Sequence, residues 1–158
     1  MALACAKARA VAQRVSAEAS EQAPGWTPGW SMVLGADTEV FLEGQALGKP
    51  ADAAAAGRML RALRGRVHEV ITGLALVEVG GGREETASVT TRVRMAEYSD
   101  EAIAAYVATG EPFDKAGGYA VQGEGGRLVA EVDGCFTNVV GLPVETTRRL
   151  LAAWGLGV

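Results

Sequence analysis

Two β-rich segments of the sequence flank a run of three glycines. Residues 68–79 are β-rich and partly alternate polar and apolar side chains, residues 85–96 provide the partner segment, and Gly80, Gly81 and Gly82 lie between them. A period of two is typical of a strand with one buried face, and a short glycine turn joins two such strands into a hairpin. The sequence therefore predicts a long antiparallel hairpin, which requires that a sheet lies at the centre of the fold.

Helical segments precede and follow this hairpin. Residues 3 to about 21 are rich in Ala and contain neither Gly nor Pro, which favours a helix. A spacing of four residues predicts that its apolar face carries Leu3, Lys7, Val11 and Val15. Further helices are predicted at about residues 51–63, from a capping Ser99 to Gly110, and after Pro143.

Shorter extended segments complete the predicted sheet. Residues 32–36 form an apolar run typical of a buried strand, and residues 39–42 resume extended structure. Residues 127–132 and 135–140 predict a second antiparallel pair that turns at Asp133 and Gly134. The Pro- and Gly-rich residues 24–30 predict an exposed loop.

The length and composition set the class of protein. The 158 residues contain no internal repeat and no long linker, so they predict a single α/β domain with a mixed twisted sheet, antiparallel hairpins and flanking helices. The net charge of -4 does not favour nucleic-acid binding. The sequence contains no run of ~18 apolar residues, so no membrane span is predicted. With two cysteines and one histidine the chain has too few ligands for a structural zinc site, and reduced thiols predict a cytoplasmic protein.

An acid and a lysine lie where a phosphate ligand could be held. Asp37 follows the first predicted strand, and open α/β sheets place ligands at the carboxyl ends of their strands, so Asp37 could bind a metal or accept a proton. The alternative is a turn aspartate bonded to its own backbone. Lys49 precedes Pro50 at a helix entrance, where anions bind, although it could also be a solvated surface lysine.

Residues 111–126 form a long glycine-rich segment that predicts a loop without regular structure. Such loops are often functional, so Lys115 could contact a phosphate and Gln122 could read a base edge; the alternative is an ordinary flexible loop. Lys7 could reach a cleft from the first helix or extend its ammonium to solvent. A lone histidine such as His68 is more often structural than catalytic. The three lysines, the acid at a strand end and the glycine-rich loop together support a phosphate-ester site.

Six short blocks occur in a fixed order along nearly the whole chain. They are VLGADT at 33–38, LGKP at 47–50, GRVHEVITG at 65–73, YVATGEP at 106–112, DKAGGYAVQG at 114–123 and NVVGLP at 138–143. In this order and spacing the sequence resembles the Maf family of nucleoside triphosphate pyrophosphatases. The combination is specific, although each block alone is not.

The resemblance implies hydrolysis of dTTP, UTP or modified pyrimidine nucleotides to the monophosphate and pyrophosphate, with Mg²⁺ or Mn²⁺. Asp37 matches the family's proton acceptor, and it would take the proton from water or bind the metal. Thr38 and Gln122 match positions that are tied to substrate choice in the family. The basic positions that line the family's phosphate cleft correspond to Lys7, Lys49 and Lys115. The resemblance also implies a homodimer and an association with septum formation.

The N-terminal part of the sequence departs from the family pattern. Members begin with a strand and a Ser-x-Ser-Pro-Arg-Arg segment, whereas this sequence starts in the following helix and contains no Ser-Pro-Arg-Arg. We therefore expect the first strand and an arginine pair for phosphate to be missing, and the activity to be weak. The alternative is a catalytically impaired relative that acts as a division-linked regulatory or nucleotide-binding protein.

Overall fold

The computed structural model describes residues 2–22 and 31–157, with the backbone alone described for residues 19–22. The predicted loop at residues 24–30 lies outside the described residues. The helices are α1 Ala2–Gln22, α2 Ala53–Leu63, α3 Asp100–Ala108, α4 Phe136–Val140 and α5 Val144–Ala153. The strands are β1 Met32–Leu42, β2 Gln45–Leu47, β3 Val67–Glu78, β4 Glu84–Met95 and β5 Val129–Asp133. In the described part of the chain, no helix has the length and apolar character needed to cross a bilayer.

The five strands form one open sheet in the order β2-β1-β3-β4-β5. The pairs β1–β2 and β4–β5 are antiparallel, and β3 and β4 form the predicted hairpin. Val79 N donates to Ser31 O over 2.9 Å, which places the end of β3 beside the start of β1. The α/β class with flanking helices is therefore confirmed. The sheet is antiparallel rather than mixed, because neighbouring strands run in opposite directions at each of these pairings.

The chain divides into two compact units, which are described separately. The first comprises Met1–Asp37, Thr72–Val89 and Val144–Val158, and the second comprises Thr38–Ile71 and Thr90–Pro143. We call them unit 1 and unit 2.

The core of unit 1 corrects the predicted face of α1. Leu3 and Val11 are exposed, whereas Val15 packs against the core as predicted. The buried face of α1 carries Ala4, Ala8 and Ala12, which pack with Ala75 and Val77 of β3 and with Val79 after it. Close approach at Gly35 is the reason, because a Cβ on Gly35 would lie 2.4 Å from the carbonyl oxygen of Ala4. Larger side chains on that face of α1 would hold the helix away from the strand.

Local capping signals set the helix ends in unit 2. The side chain of Asp52 accepts a hydrogen bond from Ala55 N over 2.7 Å at the start of α2, and Ser99 caps α3 in the same way. Gly65 follows α2 with a φ of 66°, a conformation that favours glycine. The predicted positions of both helices are confirmed. The core of this unit includes Val40, Leu60, Leu63, Val70, Val93, Met95, Tyr98, Ile103, Tyr106 and Tyr119.

The predicted hairpin formed by residues 127–132 and 135–140 is wrong. Its first half forms β5, which pairs with β4, and its second half forms the short helix α4. Asn138 explains the helix: its side chain is fully buried, and its Nδ2 donates to Val70 O over 3.0 Å and to Thr91 Oγ1 over 2.9 Å. Those two acceptors satisfy the buried Nδ2 group of Asn138, which an edge strand would not bury.

The predicted loop at 111–126 contains regular structure. Three short 3-10 helices occupy this region, Glu111–Asp114, Ala116–Gly118 and Gly123–Leu128. Tertiary hydrogen bonds described below order this glycine-rich segment, so its composition alone did not predict its conformation.

Candidate active site

The sequence predicts Asp37 at the carboxyl end of a strand, but this residue lies inside β1. β1 continues without interruption on both sides of this residue, so its carboxylate projects from the middle of an extended segment. Nζ of Lys7 on α1 lies 2.5 Å from Oδ1 of Asp37, and the two side chains are 53% and 14% exposed. The close approach of α1 at Gly35 allows this contact. Lys7 therefore forms an ion pair with Asp37 in unit 1. The two alternatives offered by the sequence, a cleft or solvent, did not include this pair.

A cavity of about 200 Å³ in unit 2 brings together three of the predicted site residues, Thr38, Lys49 and Lys115. We call it the Lys49 pocket. Its other lining residues are mostly apolar: Val40, Val70, Asp114, Ala116, Tyr119, Val121, Val139, Val140 and Gly141. Lys49 is exposed, whereas Val70 and Tyr119 are buried. The pocket therefore has an apolar interior and positive charge towards solvent.

A glycine ties together the two segments that carry the lysines of the pocket. Gly117 N donates to Gly48 O over 3.0 Å, next to Lys49, and Gly117 itself lies two residues after Lys115. The φ of Gly117 is 75°, and a Cβ at this position would lie 3.1 Å from Cγ1 of Val40. A side chain would therefore strain the backbone and crowd the pocket wall, so glycine is required where the segments meet.

Asp114 is a pocket residue that the sequence did not single out. Its Oδ1 lies 2.5 Å from Nζ of Lys115, and this lysine holds the pKa of Asp114 below its ordinary value. Since both side chains are substantially exposed, the pair adds little to stability. If a phosphate group entered the pocket, its oxygens would replace the carboxylate of Asp114 as the partner of Lys115.

Thr38 and Gln122, the two predicted specificity residues, occupy different environments. Thr38 lines the pocket, and its Oγ1 donates to Gly141 O over 3.4 Å, a long hydrogen bond. Gln122 is exposed and precedes the 3-10 helix Gly123–Leu128, next to the lining residue Val121, but its own side chain is not part of the lining. The structure thus groups Thr38 with the lysines and leaves Gln122 outside the cavity wall.

One partly buried hydrogen-bond network holds the segment that carries Gln122. Oε1 of Glu111 accepts from Tyr106 Oη over 3.0 Å and from Gly125 N over 3.1 Å, and Oε2 accepts from Glu124 N over 3.2 Å. Tyr106 Oη also accepts from Ala120 N over 3.1 Å. Burial acts to raise the pKa of Glu111, but these donors outweigh it and leave the pKa below its ordinary value. Glu111 is therefore an ionised anchor for the loop.

His68 is buried beside the pocket. Its Nε2 lies 2.7 Å from the hydroxyl of Tyr119, a lining residue, and the two rings are nearly perpendicular. Burial lowers the pKa of His68 to about 4, so the ring is neutral at neutral pH. The same cause raises the pKa of Tyr119. The sequence had marked His68 as structural, and Tyr119 was not singled out, because only the fold brings these residues together.

A divalent cation would be held by Asp37 together with the phosphate oxygens of a bound ligand. Among the described residues, no three His, Cys, Asp or Glu side chains come together. Mg²⁺ in nucleotide enzymes is commonly bound by one or two carboxylates plus substrate phosphates. Asp37, whose Oδ1 contacts Nζ of Lys7, would offer Oδ2 to such a cation.

The fold and these sites define an α/β protein with an open sheet, a lysine-bound strand carboxylate and an apolar cavity that has lysines in its wall. The Maf family profile, described as Maf-like protein, matches residues 1–154. The chain therefore belongs to the Maf family, as the six sequence blocks indicated.

Several relatives are similar over much of this chain. A dTTP/UTP pyrophosphatase of Moorella thermoacetica is 47% identical over 157 residues, which are 99% of this chain and 74% of the relative. Proteins of the same name from Desulfitobacterium hafniense and Exiguobacterium sibiricum are 50% and 51% identical over 80% and 79% of this chain. The aligned part covers 57% and 63% of these two relatives, so the chain spans less than two thirds of their length.

Proposed function

We propose that this chain binds a pyrimidine nucleoside triphosphate and hydrolyses it between the α and β phosphates, giving the monophosphate and pyrophosphate. The Lys49 pocket carries the proposal, because it combines an apolar interior with Lys49 and Lys115. An apolar cavity suits a planar base, and lysines suit phosphate oxygens. The names of the three relatives support dTTP and UTP as substrates.

Positive charge is the first contribution of the residues in the pocket. Attack on the α phosphorus increases the negative charge on phosphate oxygens and on the departing pyrophosphate. Lys49 and Lys115 lie in the wall of one cavity, so both can stabilise the same polyanion. Positive charges beside the phosphates stabilise the transition state, in which the negative charge on the oxygens is greatest. Asp114 holds Lys115 in place before the substrate enters.

Asp37 is the proposed proton acceptor or metal ligand, and the two roles remain alternatives. Lys7 contacts Oδ1 and so orients the carboxylate, which leaves Oδ2 as the atom that receives a proton from water or binds a cation. A bound Mg²⁺ or Mn²⁺ would supply positive charge to the phosphates and make a bound water more acidic. Thr38, which follows Asp37 in the chain and lines the pocket, is the proposed contact for substrate choice, together with Gln122.

Pyrophosphate release by the 158-residue chain tests this function directly. We expect dTTP and UTP to be hydrolysed faster than GTP when Mg²⁺ or Mn²⁺ is present. Asp37→Asn should lower the rate by about 100-fold or more, which corresponds to roughly 3 kcal/mol of transition-state stabilisation. Unchanged turnover in this variant would remove Asp37 from the mechanism.

Binding of inorganic tripolyphosphate separates the lysines from the rest of the site. Lys49→Ala should weaken binding about tenfold, the loss expected for one charge-assisted contact. Arg127→Ala is the matched control, because Arg127 is an exposed cation that pairs with Glu124 and does not line the pocket. Equal losses in both variants would mean that the general charge of the surface, and not the pocket, attracts the polyphosphate.

A further inference from the structure

Tyr119 belongs at once to the wall of the Lys49 pocket and to a buried polar pair. Its side chain is 5% exposed, and His68 behind it is 2% exposed. The hydroxyl of Tyr119 lies 2.7 Å from Nε2 of His68, and the ring centroids are 5.4 Å apart at an interplanar angle of 89°. The imidazole therefore meets the phenol edge-on and holds it by one short hydrogen bond.

The polar pair is not what packing alone would select. The surrounding core is apolar and contains Val40, Val70, Val93 and Met95, and an aliphatic side chain at position 68 would avoid burying two ring nitrogens. Nδ1 of His68 has no hydrogen-bond partner among the described residues. The pair thus retains a cost of burial, and the hydrogen bond that the geometry gives the His68 side chain within the described part of the chain is the one to Tyr119.

The hydrogen bond between His68 and Tyr119 can run in either direction. With the hydrogen on Nε2 the imidazole donates to the hydroxyl of Tyr119, and with the hydrogen on Nδ1 the hydroxyl donates to Nε2. In either tautomer this bond links the imidazole to the phenol. Burial lowers the pKa of His68, so the imidazole is neutral in this contact.

We propose that His68 is a positioning residue that fixes the ring of Tyr119 as the wall against which the nucleobase packs in the Lys49 pocket. This inference rests on the proposed function and assigns part of the substrate to part of the site. An aromatic ring attracts a base through its flat face or edge, a contact that a polyphosphate does not make.

The size and lining of the pocket favour the base as the group that contacts Tyr119. Sites that enclose a whole small ligand commonly measure about 300–1,000 Å³. The Lys49 pocket, at about 200 Å³, takes only a part of a nucleotide. Val70, Val121 and Val139 line it with Tyr119, so its interior matches an apolar planar group. The charged phosphates then belong with Lys49 and Lys115.

Four substitutions test the role of the pair. Tyr119→Phe removes the hydroxyl and keeps the ring, and His68→Leu removes the hydrogen-bonding partner of that hydroxyl. His68→Gln keeps an amide N–H that can still donate to Tyr119, so it is the rescuing variant. Tyr98→Phe is the matched control, because Tyr98 is also buried in unit 2 and donates to Leu60 O over 2.7 Å, but it does not line the pocket.

Calorimetric titration of the 158-residue chain with dTTP and with tripolyphosphate gives the readout. We expect Tyr119→Phe and His68→Leu to weaken dTTP binding by about threefold to tenfold and to leave tripolyphosphate binding unchanged. His68→Gln should recover most of the loss, and Tyr98→Phe should bind both ligands as the wild type does. Where turnover is measurable, KM for dTTP should rise while kcat stays constant, since the contact is equally strong in the ground and transition states.

Other outcomes overturn the proposals separately. Equal weakening of both ligands, or a loss of the same size in Tyr98→Phe, would show that the pair acts only through stability. Unchanged dTTP binding in Tyr119→Phe and His68→Leu would refute the positioning role. A wild-type chain that binds dTTP but releases no pyrophosphate would refute the proposed hydrolysis alone. Binding of tripolyphosphate without any preference for dTTP would refute the base wall and leave the phosphate site standing.

Discussion

Lowering the pH should destabilise the folded chain through its single histidine. His68 is 2% exposed, and burial lowers its pKa from 6.5 to about 4. The unfolded chain therefore binds a proton at His68 below pH 6.5, whereas the folded chain resists it until about pH 4. Because the unfolded state holds more protons in this window, the free energy of unfolding must fall as the pH falls.

The size of the effect follows from the two pKa values. Above pH 6.5 the imidazole is neutral in both states and contributes no pH dependence. Between the two values the slope is roughly 1.4 kcal/mol per pH unit, so the fall from 6.5 to about 4 removes about 3 kcal/mol. Below about pH 4 both states are protonated at this residue, and its contribution becomes constant.

Urea unfolding of the wild type and of His68→Gln isolates this contribution. Glutamine does not titrate, and the carboxylates that do are common to both chains. The wild type should therefore lose about 3 kcal/mol more than the variant between pH 7 and pH 4. Because the chain has one histidine, a single imidazole resonance reports its titration by NMR. A midpoint near 6.5, or parallel pH profiles for the two chains, would refute the assignment of a neutral buried imidazole.

Two further predictions concern the segment that carries Lys115 and Gln122. Glu111→Gln should destabilise the chain by about 1–2 kcal/mol, because it weakens charge-assisted acceptance from the backbone, and the amide of Gly125 should then exchange its hydrogen faster in deuterium oxide. Gly117→Ala should cost about 1–3 kcal/mol in thermal unfolding, since φ is 75° and the new Cβ would meet Val40 at 3.1 Å. Gly82→Ala, where the new Cβ meets nothing within 4 Å, should be nearly neutral, and equal effects of the two changes would contradict the strain argument.

The elements that the sequence predicts well are those determined by neighbouring residues. Ser99 caps α3 through a bond to Ala102 N, three residues away, and Asp52 caps α2 at the same separation. The hairpin of β3 and β4 likewise depends on alternation and on glycines in its own turn. Such signals do not require knowledge of the rest of the fold, so their positions could be derived from the sequence alone.

The errors concern residues whose environment is set by distant parts of the chain. The sequence predicts that the apolar face of α1 carries Leu3 and Val11, but the close approach of Gly35 to Ala4 and Ala8 favours small side chains on the buried face. Residues 135–140 have the composition of a strand and form α4, because Asn138 bonds to Val70 and Thr91, 68 and 47 residues earlier. Propensity is a weak guide where one buried polar side chain decides the local conformation.

The candidate site shows the same division between chemical type and position. Lys49 and Lys115 could be found from the sequence because a charged residue beside a glycine or a helix entrance has a recognisable chemistry. The walls that give the pocket its apolar interior carry no such signature, and Tyr119 meets His68 across 51 positions of sequence. Substrate affinity should therefore depend on two groups of residues, one recognisable in the sequence and one recognisable only in the structure. The charges that hold phosphate are visible in the sequence, whereas the surfaces that would hold the base are defined only by the fold.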